Sequence, residues 1–282
     1  LWKTIIGVGV YFLFCGIFGL VMGNMMSTPK TVLEENTIYR IDMSGVLVDQ
    51  VAEENPFDAL VGEIYGQTTS TVGLSDLLSN IALAKDNDKV LGIYLRGGSL
   101  AAGPASAKAL RDALLDFKQS GKFIIAYADA YTQTNYYIAS VADKMYLNAV
   151  GNIAWDGMTA QKQYMTRLFE KIGIEMQILK VGTFKSAVEP YFRTSMSAED
   201  RKQTEQYLGG IWSEVKTAVA QNRPITVEQL DAYADECMSL QPQHKYVDYG
   251  FVDTLVYVQD MDTVLRMYAG TKDYKTVSNS SM

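Results

Sequence analysis

Two stretches decide the fold: Val90-Leu91-Gly92-Ile93-Tyr94-Leu95, running into Arg96-Gly97-Gly98-Ser99, and Phe123-Ile124-Ile125-Ala126-Tyr127-Ala128. Each is an apolar run of strand length bounded by glycine or polar residues. Between them Ala109, Leu110, Ala113, Leu114 and Phe117 recur at helical spacing, and Gly121 marks the stop. Two continuously apolar strands joined by an amphipathic helix predict a parallel βαβ unit, in a sheet covered on both faces. Its crossover should be right-handed.

Working outward, Ile38–Met43 reads as a further strand and residues 49–72, acidic and rich in Gly and Thr, as a loop. Leu74, Leu77, Leu78 and Ile81 follow helical spacing, with Ser75 and Asp76 suited to the helix start. Downstream, residues 135–142 read as helix, 144–147 as strand, 160–172 as helix and Met176–Val181 as strand. The fold class is therefore α/β, a parallel sheet with flanking helices. In such sheets reactive loops lie beyond the carboxyl ends of strands. Two of those ends stand out, Arg96–Ser99 and Gly182–Lys185. From about residue 197 the chain turns helical. Ser197 is the expected N-cap of a long helix striped by Leu208, Ile211, Trp212, Val215 and Val219, with Glu199 and Asp200 at its positive end. Thr226 and Gln229 form a capping box, and a last helix covers roughly 261–268.

Ahead of the α/β region, no charged side chain occurs between Thr4 and Pro29. Ile5–Met22 is long enough to cross a bilayer core of about 30 Å, which needs about 20 apolar residues. No Ala-x-Ala cleavage pattern follows, so residues 1–30 read as an uncleaved transmembrane anchor with a short linker and 31–282 as one α/β unit. Lys3 and Lys30 flank the run and leave its orientation undecided by charge. The chain begins with Leu1 and ends in a Ser-rich stretch, and it reads as a fragment of something longer.

With 25 Lys and Arg against 32 Asp and Glu, the net charge of −7 argues against a nucleic-acid partner. One histidine and two widely spaced cysteines, Cys15 and Cys237, argue against a structural zinc site and an internal disulfide. His244 stands in Gln241-Pro242-Gln243-His244-Lys245, an exposed-turn composition, which leaves a Ser-His-Asp triad without a base. Lysine is the recognised substitute, but it works as a base only when neutral. Its solution pKa of about 10.4 must be lowered by burial among apolar groups. Lys185, in Val181-Gly182-Thr183-Phe184-Lys185-Ser186-Ala187-Val188-Glu189-Pro190, has Phe184 and Val188 as apolar flanks and a glycine behind it. On spacing alone, a solvated surface lysine is the leading reading of this position.

That run, continued by Tyr191, Met196-Ser197, Trp212 and Asn222-Arg223, resembles signal peptide peptidase A (protease IV) of the long, two-repeat type. The resemblance implies a crotonase/caseinolytic-protease-like sheet and a serine peptidase with a Ser-Lys dyad, in which Lys185 is the general base. It also implies that the nucleophilic serine lies in a second, C-terminal repeat outside this chain. In this repeat Gln133, within Tyr131-Thr132-Gln133-Thr134-Asn135-Tyr136-Tyr137, falls where a serine would stand. Thr132 or Thr134 would serve only in a shifted alignment. Ser186 reads as a local hydrogen-bonding residue. Gly97-Gly98 reads as the remnant of an oxyanion site or as a tight strand-to-helix turn. Further implications are a homo-oligomer, signal-peptide and hydrophobic peptide substrates, and a bacterial inner-membrane location with the main domain on the periplasmic side. Neither cofactor nor metal is implied. The alternative is a non-catalytic crotonase-like scaffold at the membrane, since one fold hosts many functions.

Overall fold

The computed structural model of the chain describes residues 33–51 and 70–279, with Leu13, Phe14 and Gly16 as isolated further positions. The anchor expected over 1–30, Cys15 and most of the 49–72 loop therefore lie outside the described residues. Among the described residues, no helix is long and apolar enough to cross a membrane.

The strands are β1 (Thr37–Val48), β2 (Thr71–Gly73), β3 (Val90–Ala101), β4 (Phe123–Tyr131), β5 (Lys144–Ile153), β6 (Thr254–Leu255) and β7 (Lys275–Ser278). The helices are α1 (Leu74–Asp86), α2 (Pro104–Lys118), α3 (Gln133–Ala139), α4 (Thr166–Ile172), α5 (Ala198–Ala220), α6 (Val227–Asp235), α7 (His244–Asp248) and α8 (Met261–Ala269). All described strand pairs are parallel, in the order β2-β1-β3-β4-β5-β6, and β7 pairs with the start of β1. The α/β reading holds.

Alternation along the strands distributes side chains to two buried layers. Tyr39, Ile41, Ile93, Leu95, Ile124, Ala126, Met145 and Leu147 join a large core with residues of α1, α2, α3, α5 and α6. Ile38, Tyr94, Ile125, Tyr127 and Tyr146 point the other way, against Met261 and Leu265 of α8. Burial on both faces is why the strands read as unbroken apolar runs.

Arg111 of α2 is 1% exposed within the larger layer. Its guanidinium donates to the Tyr137 carbonyl and the Ser140 hydroxyl at the end of α3, and to the Ala218 carbonyl near the end of α5. It also lies 4.9 Å from the centre of the Tyr137 ring. One side chain thus joins the α/β layers to the helical C-terminal part.

Two expectations are corrected. Met176–Val181 forms no strand, and Leu179 and Val181 are 97% and 88% exposed. Strand propensity counts only where a neighbouring edge exists. The edge of β5 at Tyr146 and Leu147 is occupied by Thr254 and Leu255 instead. Gly97 and Gly98 do not form the strand-to-helix turn. They lie inside β3, which continues to Ala101 before Pro104 opens α2. A β-carbon on Gly97 would lie 2.3 Å from that of Ala128 on β4, and one on Gly98 would lie 2.0 Å from Ser44 Oγ. These glycines allow β1, β3 and β4 to close together where the strands leave the core. The strand-end loop Ala102-Gly103 is displaced accordingly.

Gly97→Ala forces β3 and β4 apart in a packed layer. The expected cost is about 1–3 kcal/mol, in the range of overpacked core positions, and urea unfolding of the chain measures it.

Candidate active site

The N-terminus of α3 lies beyond the carboxyl end of β4. Thr132 caps it, its hydroxyl accepting from Asn135 N at 3.2 Å. Gln133 follows, and both ends of its amide are used. Nε2 donates to the Gly157 carbonyl at 3.1 Å, and Oε1 accepts from the amides of Asp156 and Gly157 at 3.3 and 3.2 Å. Gly157 has φ +78°, a left-handed conformation that glycine adopts without strain. Gln133 therefore staples the loop after β5 to α3, and neither of its ends can act as a nucleophile. Thr132 is committed to its cap. Asn135 is fully buried and its amide donates to the Gly98 carbonyl, while its Oδ1 has no protein partner.

Beside this helix start lies a cavity of about 340 Å³. Pro104 and Ala105 of α2, Tyr137 of α3, Met158, and Ile211 and Val215 of α5 give it largely apolar walls, and Gln133 and Thr134 stand at its edge. Lys108 and Glu214 pair across the rim at 3.7 Å. The long helix placed Ile211 and Val215 here because they fall on one stripe. Behind it Trp155, Trp212, Tyr136 and Phe251 form an aromatic cluster.

Lys185 is exposed, just ahead of a 3₁₀ turn at Ser186–Tyr191. Phe184 is 53% exposed and Val188 only partly covered. The apolar enclosure expected around the amine is not built by the described residues. Ser186 instead helps hold the Asp200 carboxyl low, in keeping with a local structural role. His244 is exposed, at the start of α7 rather than in a turn. Cys237 is a free, exposed thiol.

The sequence reading passed over Glu189. It is 1% exposed and faces the N-terminus of α5, accepting from Ser197 Oγ at 2.6 Å and Ser197 N at 3.1 Å. Lys180 and Arg193 stand 3.9 Å away. Asp200, 2% exposed in the first turn of the same helix, takes Lys162 Nζ at 2.6 Å on Oδ2. Ser197, the predicted N-cap, also accepts from Asp200 N at 3.1 Å. The available signal was a Glu-Pro pair eight residues ahead of a helix N-cap. A carboxylate near a positive helix end is favoured. Burial alone raises both carboxyls, and the bonds from Ser197 to Glu189 and from Lys162 and Ser186 to Asp200 more than offset it. Both end below the ordinary carboxylate value.

The family description "Peptidase family S49" matches residues 116–272, and the chain belongs to that family. Among its relatives are the Protease 4 proteins. That of Haemophilus influenzae is 31% identical over 80% of this chain and 37% of its own length. That of Salmonella typhi is 28% identical over 98% of this chain and 45% of its own. The chloroplastic serine protease SPPA of Arabidopsis thaliana is 25% identical over 93% of this chain and 38% of its own. The resemblance to signal peptide peptidase A is borne out. The chain spans less than half the length of these relatives. Among solved structures, a mutant of the 1510-N membrane-bound stomatin-specific protease aligns over 87% of this chain and 98% of its own, with TM-score 0.45 and 12% identity.

Two outcomes are expected. Gln133→Ser loses the three bonds of the staple to Asp156 and Gly157 and lowers stability by up to about 3 kcal/mol, at about 1 kcal/mol per net hydrogen bond. Thermal unfolding checks this. The depressed carboxyls of Glu189 and Asp200 add stability that is complete above their unfolded pKa values, about 4. That contribution is lost as pH falls through the lower folded values, so stability drops on acidification below about pH 4. Urea midpoints between pH 6 and pH 2 should show a shallower fall in Glu189→Gln.

Proposed function

We propose that this chain is the base-bearing repeat of a membrane-anchored serine peptidase with a crotonase/caseinolytic-protease-like fold. Lys185 acts as general base, and the nucleophilic serine comes from a second repeat of the same protein. The observation that carries the reading is Gln133: the position at the start of α3 where a serine would stand holds an amide tied at both ends. Membership of family S49, together with a length under half that of its relatives, supports the remaining half as the source of the hydroxyl.

In the assembled enzyme the second repeat covers Lys185 and strips its water, which favours the neutral amine. The amine takes the proton from the serine hydroxyl as the oxygen attacks the peptide carbonyl carbon. Lys185, now protonated, gives that proton to the leaving nitrogen as the C–N bond breaks. In the second stage it takes a proton from water, whose oxygen attacks the ester carbon, and returns that proton to the serine oxygen as the C–O bond breaks and the acid is released. The substrates are cleaved signal peptides and other hydrophobic peptides, processed on the periplasmic side of a bacterial inner membrane by a homo-oligomer. The apolar cavity beside Gln133 suits apolar side chains.

The exposure of Lys185 in this chain favours a second reading, a non-catalytic scaffold at the membrane. One experiment separates the two. In the two-repeat protein Lys185→Ala should abolish peptide hydrolysis while circular dichroism and melting stay native, and the 282-residue chain alone should hydrolyse neither peptides nor esters. Wild-type turnover by Lys185→Ala sinks the base assignment.

A further inference from the structure

Residues 156–196 leave the sheet after Trp155 and return to it through α5. Within that stretch the one buried residue is Glu189. A segment of this length ordinarily docks through an apolar stripe, since burial of a single Leu or Phe side chain is the usual source of attachment. Here Leu168, Ile172, Ile174, Leu179, Val181 and Phe184 are exposed, while Tyr164, Met165, Phe169 and Val188 are only half-buried. The one fully buried attachment is a charge.

Its geometry is a reciprocal clasp. Glu189 reaches into the N-terminus of α5 and accepts both donors of Ser197. From the first turn of α5, Asp200 reaches back to Lys162. The charged groups around Glu189 are Lys180, Arg193 and Asp200, with Lys162 held by Asp200. The part of the excursion around the 3₁₀ turn hangs on this point. The Glu189 carbonyl accepts from the amides of Phe192 and Arg193 at 3.2 and 2.9 Å. The Pro190 carbonyl accepts from the Met165 amide at 2.8 Å, and the Arg193 carbonyl from Thr166 Oγ1 at 2.6 Å, which brings in α4.

The geometry points to Glu189 as the positioning residue for Lys185: its buried carboxylate, held by the N-terminus of α5, fixes the 3₁₀ turn that carries the amine. This rests on the reading of Lys185 as general base. Glu189 does not touch the reacting atoms. It sets where the amine stands, four residues away along a turn whose other attachment is the stacking of Tyr191 on Phe169 of α4 at 6.3 Å.

The test has two arms. In the 282-residue chain, amide hydrogen exchange is measured for wild type, Glu189→Ala, Glu189→Gln and Ser197→Ala. The amides of Met165, Phe192, Arg193 and Ser197 should exchange at least about tenfold faster in Glu189→Ala, with β3 and β4 unchanged, as expected of a local opening. Glu189→Gln, which keeps one acceptor, should lie between, and Ser197→Ala should loosen the same amides from the other side. In the two-repeat enzyme, Glu189→Ala should lower kcat at least about tenfold with KM within about twofold, the mark of a misplaced catalytic group. Glu189→Gln should recover part of it. Unchanged exchange at these amides overturns the proposal, and so does loosened exchange with wild-type kcat. Wild-type turnover by Lys185→Ala overturns the base assignment, leaving the exchange arm to report separately on whether Glu189 holds the turn.

Discussion

A guanidinium that bonds carbonyls and a hydroxyl rather than a carboxylate joins the two parts of this chain. Arg111 rises from α2 inside the apolar layer and meets Tyr137, Ser140 and Ala218. The carbonyl ends of α3 and α5 carry partial negative charge, so two helix termini share one cation. Unpaired, those groups would be costly in a low-dielectric layer, because an unsatisfied buried polar atom loses about 1–3 kcal/mol. The position of α5 is thereby tied to α3, and with it the cavity wall formed by Ile211 and Val215. The start of α5, at Ser197, also receives Glu189. The candidate site depends on Arg111 at one end of α5 and on the carboxylate clasp at the other.

The two attachments differ in kind. Around Arg111 the layer is dense and apolar, and the aromatic cluster of Trp155, Tyr136 and Phe251 continues it. Around Glu189 the contacts are hydrogen bonds and charge, with the stacking of Tyr191 on Phe169 beside them. A parallel sheet with a packed core resists displacement, whereas a segment held mainly by polar contacts opens locally at lower cost.

Much of this frame was legible in the residues. The runs Val90–Leu95 and Phe123–Ala128 could be nothing but buried strands, and Ser197, Thr226 and Gln229 announced their caps because capping is a local interaction. Met176–Val181 misled because its strand propensity is real, but whether an edge lies open beside it is settled by Thr254 and Leu255, far along the chain. Gly97 and Gly98 misled similarly: a glycine pair signals either a turn or a close approach of strands, and only the positions of Ala128 and Ser44 decide. Gln133 and Lys185 were singled out by resemblance. The staple Gln133 makes with residues 156 and 157, and the exposure of Lys185, arise from tertiary placement that spacing does not encode. Glu189 was overlooked because a carboxylate in an unassigned loop reads as a solvated charge until the helix that receives it is in place.

The outward-facing residues between Leu168 and Phe192 have a colloidal consequence. Leu179, Val181 and Phe184 form an uncovered, strand-prone ribbon, which is the kind of segment that finds identical copies of itself in concentrated solution. Lys180 interrupts it and acts as a gatekeeper against stacking. The ribbon gives the chain a self-association site in addition to its apolar N-terminal run, and a charged substitution at Leu179 is the natural remedy for it.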